Sequence, residues 1–445
     1  MNENLFSRYR EYVENNPGEF ARKYRRARDM VKESSARYLG QPIDFLLQPM
    51  FLSGEDLERL RKVIDKLTAI LDKTVDHYRN NSAFREVFPF TELEEELILA
   101  DPGYGNPYPI GRFDVFFDPK GKLQFCEFNT DGSAGMNEAR VLQKVFLELG
   151  VLDFLGGDYE LSTYSPMENL VDAVLENYRN FSGASGDPQT VAIVDFEGEG
   201  ISSEFREFRR KFENRGIDCI IADPRELAFS SGELVHDSER IDLVYRRATT
   251  RKVIDRADEV EGFIRAYLDG AVPVVGGFSS QIVHNKSLFA ILQEEEYTDY
   301  LNGEEKEFLN RHLPETYIYD RHPDEVRKKL AEKKDAYLLK PFDKFAGHGV
   351  YVGREMDRTD WEEKLEDLAG QNYIAQAFCD VPERDFLYFE DGKPGFQKFG
   401  HLIGLYLYNQ ELSGLYTRAG RENVIASLVE CFTLPTFVIE SDFAG

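Results

Sequence analysis

The chain has 445 residues, 42% of them hydrophobic and 13% aromatic, which is enough apolar surface for roughly two or three packed units. Lys and Arg number 54 against 81 Asp and Glu, and the resulting net charge of −27 repels nucleic acid and anionic lipid surfaces. We therefore expect no nucleic-acid or membrane partner, and an anionic ligand must be held by a local group of basic residues or through a metal ion.

The distribution of apolar residues gives no indication of a membrane span or an export signal. Apolar runs such as residues 45–52 are far shorter than the roughly 20 residues that a bilayer span needs, and residues 1–16 are charged throughout. The cysteines are far apart and form no CxxC pair, so we expect free thiols and a cytoplasmic protein. These cysteines are Cys126, Cys219, Cys379 and Cys431.

The first part of the chain is predicted to be helical and the next to contain a hairpin. Apolar residues recur at three- and four-residue spacing over residues 57–78, which predicts a helix in an N-terminal helical region, residues 1–100. From residue 110 the apolar period changes to two. The elements predicted for residues 101–187 are strands at 111–117 and 122–129, a turn at 118–121, and helices at 136–149 and 165–180.

Residues 188–282 alternate strands with helices. Strand patterns occur at 190–196, 217–223, 241–247 and 271–277, with helical patterns between them. This alternation predicts a parallel sheet covered by helices, as in a small doubly wound domain.

The last third predicts antiparallel strands. A short helix over 285–293 precedes a strand at 336–342, a glycine-containing turn at 343–350 and a second strand at 350–353. Further strands are predicted at 372–378, 384–390 and 398–409. The fold class is therefore mixed α/β, and we divide the remaining chain into units at 283–370 and 371–445.

The predicted hairpin places oxygen ligands on one face. If Phe117 pairs with Lys122, Arg112 faces Glu127 and Asp114 faces Phe125, so that Asp114 and Glu127 are diagonal neighbours. Together with Asn129, these carboxylates suit a magnesium ion. A solvated edge hairpin with a surface ion pair between Arg112 and Glu127 explains the same pattern.

Two lysines indicate an anionic ligand. Lys340 ends an apolar strand, and the turn that follows holds Gly347 and Gly349. Backbone N–H groups of such a turn can close over a triphosphate while the lysine contacts its oxygens, although an ordinary glycine hairpin fits equally well. Lys286 begins a helix, which is unfavourable against the helix dipole and therefore indicates an anionic partner.

Two later segments complete the candidate site. The strand at 373–380 can offer its backbone and Gln376 to an adenine edge, or it is an ordinary core strand. The segment 413–424 places Arg418, Arg421 and Asn423 on a predicted turn.

Taken in chain order, RFD, EFNTD, NKSLFAIL, LLKPF with GHGV, YIAQAF and LYTRAG resemble the ATP-grasp ligases of the glutathionylspermidine synthase type. In that family an R-x-D strand and an E-x-N strand precede the lysine lobe, and this sequence has that order. The resemblance covers roughly residues 100–430. It implies an ATP-grasp fold and a ligase that uses ATP and Mg²⁺ to join a carboxylate to an amine through an acyl phosphate, releasing ADP and phosphate.

The resemblance also implies roles for individual residues. The implied metal ligands are Asp114, Glu127 and Asn129, and the residues at the transferring phosphoryl group are Arg112 and Arg418. The implied nucleotide-binding residues are Lys286, Lys340, Gly347, Gly349, Gln376 and Phe378. The implied substrate-binding residues are Ser133, Arg246 and Arg247, the arginines through the segment DLVYRR.

Departures from the family pattern leave the substrates open. The hydroxyl-bearing residues that follow the family's metal ligands are replaced by GSAG, which keeps only Ser133, and no segment resembles the family's amidase domain. We therefore do not expect glutathione and spermidine as substrates. A non-catalytic ATP-binding module that acts as a docking or regulatory subunit is the alternative, and the sequence does not define an oligomeric state.

Overall fold

The structure, a computed structural model, describes residues 3–118, 121–157, 159–181, 184–321, 323–344, 347–426 and 429–441. Part of the predicted turn at 118–121 and part of the glycine turn at 343–350 lie outside the described residues. The helices are α1 (Glu3–Asn15), α2 (Pro17–Glu33), α3 (Gly54–Asn80), α4 (Ser82–Arg85), α5 (Glu92–Leu99), α6 (Met136–Glu148), α7 (Pro166–Asn180), α8 (Ser202–Glu213), α9 (Thr250–Asp255), α10 (Glu261–Leu268), α11 (Gln281–His284), α12 (Ser287–Ile291), α13 (Gly303–His312), α14 (Pro323–Glu332) and α15 (Arg358–Asp367).

The strands complete a mixed α/β fold, as predicted. They are β1 (Arg37–Tyr38), β2 (Gln41–Pro42), β3 (Met50–Ser53), β4 (Ile110–Phe117), β5 (Leu123–Asn129), β6 (Tyr159–Ser162), β7 (Thr190–Val194), β8 (Asp218–Ala222), β9 (Ala228–Ser230), β10 (Glu233–His236), β11 (Glu239–Arg240), β12 (Leu243–Arg246), β13 (Val274–Val275), β14 (Thr316–Ile318), β15 (Tyr337–Pro341), β16 (Tyr351–Val352), β17 (Tyr373–Ala377), β18 (Glu383–Glu390), β19 (Lys393–Tyr408), β20 (Glu411–Gly420), β21 (Phe432–Leu434) and β22 (Thr436–Ser441).

The long helix α3 confirms the prediction for residues 57–78. Ser53 and Asp56 form a reciprocal capping box at its start. Its apolar stripe, which includes Leu60 and Leu67, packs into one core with the apolar face of the β4–β5 hairpin. None of the described helices is long and apolar enough to cross a membrane.

The largest sheet is antiparallel and carries the hairpin at its edge. Its strand order is β21-β20-β19-β4-β5, with β18 paired to β19. Arg418 lies within β20 and not on a turn, so the prediction of a turn over 413–424 is wrong for that residue. The segment is a strand because β20 is enclosed between β19 and β21 and is buried from Gly414 onward.

The register of the hairpin differs from the prediction. Phe117 pairs with Leu123, and after an irregularity in the pairing Asp114 lies directly opposite Glu127. Phe125 and Phe128 both point into the core, so Cys126 and Glu127 share the opposite face as a β-bulge. The predicted pairs of Arg112 with Glu127 and of Asp114 with Phe125 are therefore wrong, because a strict period of two does not hold across the bulge.

A second sheet is parallel throughout, as predicted for this part of the chain. Its order is β13-β12-β7-β8, so β8 is added on one side of β7 whereas β12 and β13 are added on the other, which makes a topological switch point between β7 and β12. Ligands bind at such switch points, outside the carboxyl ends of the strands. The short antiparallel strands β9, β10 and β11 were not predicted.

The third sheet holds Lys340. Its order is β14-β17-β15-β16, and all of its pairs are antiparallel, as predicted. The backbone N–H of Lys286 donates to the carbonyl of Phe342 (3.0 Å), which ties the start of α12 to the end of β15. All four cysteines are free thiols, as predicted. The division of the chain into five units stays a prediction.

Candidate active site

One cavity of about 800 Å³ lies between the β4–β5 hairpin, the end of β15 and the carboxyl edge of the parallel sheet. Two predicted site residues, Gly349 and Arg246, do not line it. The predicted residues that do are Arg112, Asp114, Glu127, Asn129, Ser133, Arg247, Lys286, Lys340, Gly347, Gln376, Phe378 and Arg418. Segments that are far apart in the chain thus converge on one space.

Asp114 is held by two arginines. Arg112 donates from Nε to Oδ1 (2.9 Å), and Arg418 reaches Oδ2 (2.6 Å) from two strands away. Asn129 also donates to Oδ2, at 3.2 Å. Gly404, on the intervening strand β19, makes this possible, because a Cβ there would come within 2.9 Å of Oδ1 of Asp114. The glycine therefore leaves room for this cluster of charges, in which the Asp114 side chain is only 3% exposed.

Glu127 forms an ion pair with Lys286 and lies in the electrostatic field of Lys340. Its Oε1 lies 2.7 Å from Nζ of Lys286. Lys340 donates to the carbonyl of Cys126 (3.3 Å) and to Oε1 of Gln376 (2.8 Å). Burial alone would raise the pKa of Glu127, but Lys286 and Lys340 hold it well below its ordinary value. Glu127 is therefore ionised at neutral pH.

The oxygen donors of the hairpin fit a hard divalent cation. Asp114 and Glu127 are opposed across the strands, and Asn129 keeps its amide oxygen free of the bond that its nitrogen donates to Asp114. Two carboxylates and an amide are a donor set that magnesium accepts alongside water and phosphate oxygens. Among the described residues no group of three or more His, Cys, Asp and Glu side chains has metal-binding geometry, so the candidate set depends on the asparagine.

One side of the cavity is formed by residues of the glycine turn and of β17 with Phe378 just after it. Gly347 adopts φ +83 and Gly349 adopts φ +71, which only glycine adopts easily. A Cβ on Gly349 would lie 2.9 Å from the Tyr373 hydroxyl, so this glycine shapes the turn without reaching the cavity. Phe378 has the Arg354 guanidinium 3.7 Å from its ring centre.

The loop that follows Asn129 is anchored to the parallel sheet. Arg246 pairs with Asp131 (3.0 Å), and both side chains are almost fully buried. Arg247 donates to the carbonyls of Gly132 and Ser133, and the Ser133 hydroxyl donates to the carbonyl of Asn129. The structure thus does not bring Arg246 to the cavity, and Arg247 supports the loop from the cavity wall.

Sequence reasoning missed Glu138 and Tyr416. Glu138 lies in the first turn of α6 and lines the cavity, and Tyr416 donates its hydroxyl to it (2.6 Å). A glutamate in a first helical turn is ordinary, so the sequence contains no signal that singles it out. The bulge did have a signal, because Phe125 and Phe128 are three residues apart within a strand of period two.

Comparisons with known proteins identify the family and the fold. The family model described as glutathionylspermidine synthase preATP-grasp matches residues 47–433. A glutathione synthetase-like effector from Globodera pallida, in its apo form, is 12% identical over 95% of this chain and 98% of that chain, with a TM-score of 0.58. This likeness shows a shared fold. No curated protein matches the sequence significantly.

Two further solved structures have TM-scores too low to support an argument. One is a provisional gamma-glutamylcysteine synthetase from Methylobacillus flagellatus KT, 12% identical, with 84% of this chain and 88% of that chain covered and a TM-score of 0.43. The other is a RimK domain ATP-grasp protein from Sphaerobacter thermophilus DSM 20745, 14% identical, with 55% and 90% covered and a TM-score of 0.31.

Proposed function

The chain belongs to the glutathionylspermidine synthase preATP-grasp family and has an ATP-grasp fold, and from this premise we propose that it is an ATP-dependent carboxylate–amine ligase. It joins a small-molecule or peptide carboxylate to an amine through an acyl phosphate and releases ADP and phosphate. The observation that supports this proposal most directly is the meeting of Lys286 and Lys340 with Glu127 and its neighbouring carbonyl, in the cavity that also holds the pair of arginines on Asp114.

Phosphoryl transfer needs placement and charge neutralisation more than a protein nucleophile. Lys286 and Lys340 act as point charges on the nucleotide phosphates. Arg112 and Arg418 flank the transferring phosphoryl group, where their planar guanidinium groups can each donate two hydrogen bonds. Both arginines are buried, so their charges are little screened by water.

Magnesium would be held by Glu127 and Asn129 together with Asp114. A magnesium ion held by these residues would supply positive charge that offsets the charge of the nucleotide phosphates. The chain keeps Glu127 ionised for this purpose. Lys286 now pairs with this carboxylate. On the proposed mechanism it exchanges Glu127 for the phosphates when the nucleotide enters.

The reaction uses no protein nucleophile. A carboxylate oxygen of the acid attacks the γ-phosphorus and ADP leaves. The amine nitrogen, in its neutral form, then attacks the acyl carbon, the bond between that carbon and the phosphate oxygen breaks, and the proton that the nitrogen loses leaves with the phosphate. Gln376, Phe378 and Gly347 line the nucleotide end, and Ser133 and Arg247 the substrate end. Arg246 supports this end from behind, through Asp131.

Glu127→Gln tests the proposal. ADP release should fall below detection because the amide cannot replace the ionised ligand, while the fold is kept. The assay is ADP release in the presence of pooled acids and amines, guided by mass spectrometry of metabolites that the purified protein retains. Glu295→Gln, an exposed acid paired with Lys306, is the matched control and should turn over normally.

Two outcomes contradict the proposal in different ways. Normal turnover by Glu127→Gln removes the metal assignment. Calorimetric binding of Mg·ATP by the wild-type protein, without turnover on any pair of pools, favours the non-catalytic module instead.

A further inference from the structure

Glu138 is a buried carboxylate of the cavity that the proposed chemistry does not use. The residue is 6% exposed and lies at the start of α6. Its Oε2 accepts hydrogen bonds from the Tyr416 hydroxyl (2.6 Å) and the Thr433 hydroxyl (3.1 Å). Both of these bonds go to Oε2, within the described part of the chain no bond to Oε1 accompanies them, and the residue lines the cavity. One oxygen is thus fixed and the other is available to a ligand.

Among the residues that the structure describes, no cation forms an ion pair with Glu138. Arg418 approaches from β20, but it is bound at 2.6 Å to Asp114, a carboxylate that it shares with Arg112, and it lowers the pKa of Glu138 only in part. Glu204 approaches from α8 and adds a second negative charge. The groups that face Glu138 from the elements around it are Tyr416 and Arg418 of β20, Tyr406 of β19, Glu204 of α8, Thr433 of β21 with Cys431 just before it, and Tyr38 of β1.

This environment disfavours the ionised carboxylate. Burial raises the pKa of Glu138 to about 7, because the hydrogen bonds from Tyr416 and Thr433 offset only part of that effect and Glu204 adds to it. A cation placed at Oε1 would stabilise the ionised form.

We propose that Glu138 binds the ammonium group of the amine substrate, an inference that rests on the proposed ligase function. An ammonium group has three donors and can use Oε1, the oxygen that the chain leaves open. The position is suitable, because Tyr416 links Glu138 to the phosphoryl site: its hydroxyl donates to Glu138, and the guanidinium carbons of Arg112 and Arg418 lie 5.5 Å and 5.4 Å from its ring centre.

The same end of the cavity favours an amine on an apolar stem. Tyr38 and Leu39 line the cavity at the turn between β1 and β2, and the charge of Glu138 acts on the Tyr38 hydroxyl. Leu39 is 70% exposed, a high value for a large apolar side chain. A primary amine on an alkyl stem can therefore contact both the carboxylate and this apolar edge.

Butylamine is the probe, titrated by calorimetry into the full chain with and without Mg·ADP. The salt concentration is kept near physiological so that the net charge of the chain is screened. We expect one saturable site at pH 8. Glu138→Gln should weaken binding by at least about tenfold, the loss expected for a hydrogen-bonded charge pair.

Glu199→Gln is the matched control. It removes the same charge from the same cavity, but the Glu199 carboxylate is already paired with Lys252 (2.7 Å) and Arg256 (2.9 Å). Its affinity for butylamine should stay within about twofold of the wild type, because a distant screened charge contributes little. Equal losses in both variants would show a long-range field effect and overturn the assignment to Glu138.

The pH dependence supplies a test that needs no variant. Butylamine stays protonated from pH 6 to 8, whereas the ionised fraction of Glu138 rises about tenfold over that range, so the affinity should rise about tenfold. Thr433→Val removes one donor to the carboxylate and should move the midpoint of this rise to higher pH. An affinity that does not change with pH, or absence of binding at pH 8, overturns the inference. Failure of Mg·ADP to bind counts against the ligase instead, so the two failures are distinguishable.

Discussion

Replacing Lys286 by methionine should destabilise the protein and abolish nucleotide binding for separable reasons. The change keeps the apolar stem of the side chain but leaves Glu127 without the ammonium group that lies 2.7 Å away. Breaking a buried pair by removing one partner costs roughly 3–5 kcal/mol. Glu127 is 24% exposed and keeps Lys340 nearby, so we expect about 2–3 kcal/mol at pH 7.

The loss should depend on pH with a defined sign. In the wild type the pKa of Glu127 is held below its ordinary value, so the pair contributes stability above the ordinary value of 4.5 and this contribution declines as the pH falls below it. In Lys286→Met the carboxyl protonates more readily, which relieves the unpaired charge. The difference in the free energy of unfolding between the two proteins should therefore shrink between pH 7 and pH 4.

Urea unfolding measures this difference. The single tryptophan, Trp361, is fully buried and reports the unfolding of the part of the chain that carries Lys340. Lys73→Met, which breaks an exposed pair with Glu305, is the control and should cost less than about 1 kcal/mol.

A double variant separates stability from function. Glu127→Gln combined with Lys286→Met should recover most of the lost stability, because no charge is then left buried alone. It should not recover calorimetric binding of Mg·ATP. The reasoning is refuted if Lys286→Met costs no more than Lys73→Met, or if its loss of stability is the same at pH 4 and pH 7.

Three further outcomes are expected. Arg418→Lys should lower the rate of ADP release by a factor of about 10²–10³ and change the KM for ATP only a few fold, because the arginine acts on the charge that develops in the transition state. Steady-state assays measure both constants, and a change in KM alone would contradict this role. Between pH 4.5 and 7 the free energy of unfolding of the wild type, measured in urea, should fall by about 3 kcal/mol relative to that of Glu138→Gln, because the folded state retains a proton on Glu138 that the unfolded state releases. Equal pH dependence in the two proteins would contradict this prediction. Arg246→Met should cost about 3–5 kcal/mol by leaving Asp131 buried without its cation; a variant of full stability with weakened substrate binding would restore the substrate role expected from sequence.

Local periodicity predicted most elements of the fold, but it did not predict how they pair. Helix α3 and the parallel strands follow from apolar spacing alone. The hairpin register was wrong because the bulge at Cys126 changes which residues share a face. The turn predicted over 413–424 was wrong around Arg418, because the segment up to Gly420 belongs to a strand enclosed on both sides, where Gly414 and Gly420 leave room for close neighbours.

Most of the predicted site residues line one cavity, although residue spacing along the chain does not predict which distant segments come together. The resemblance to known ligases supplied the pairing of distant segments, and the structure then divided two adjacent arginines into different positions. Arg246 is the last residue of β12 and turns to Asp131 behind the cavity, whereas Arg247 follows the strand and lies at the wall. Alternation along the strand predicts opposite directions for neighbours, but which of them faces the cavity depends on the sheet order.

The pairing of charges in the cavity explains how one site can accept both a metal ion and a polyanion. Lys286 and the two arginines, which we assign to the phosphates, are held here by Glu127 and Asp114, the carboxylates that we assign to the metal. A metal ion that binds alone would take the carboxylates and leave the lysine and arginine side chains without a partner. ATP that binds alone would take these cations and leave the carboxylates without a partner. Either event leaves a buried charge unpaired, which is unfavourable. Entry of both together exchanges partners without leaving any charge uncompensated. We therefore expect the binding of metal and nucleotide to be coupled, with each raising the affinity for the other by the same factor, as linkage requires.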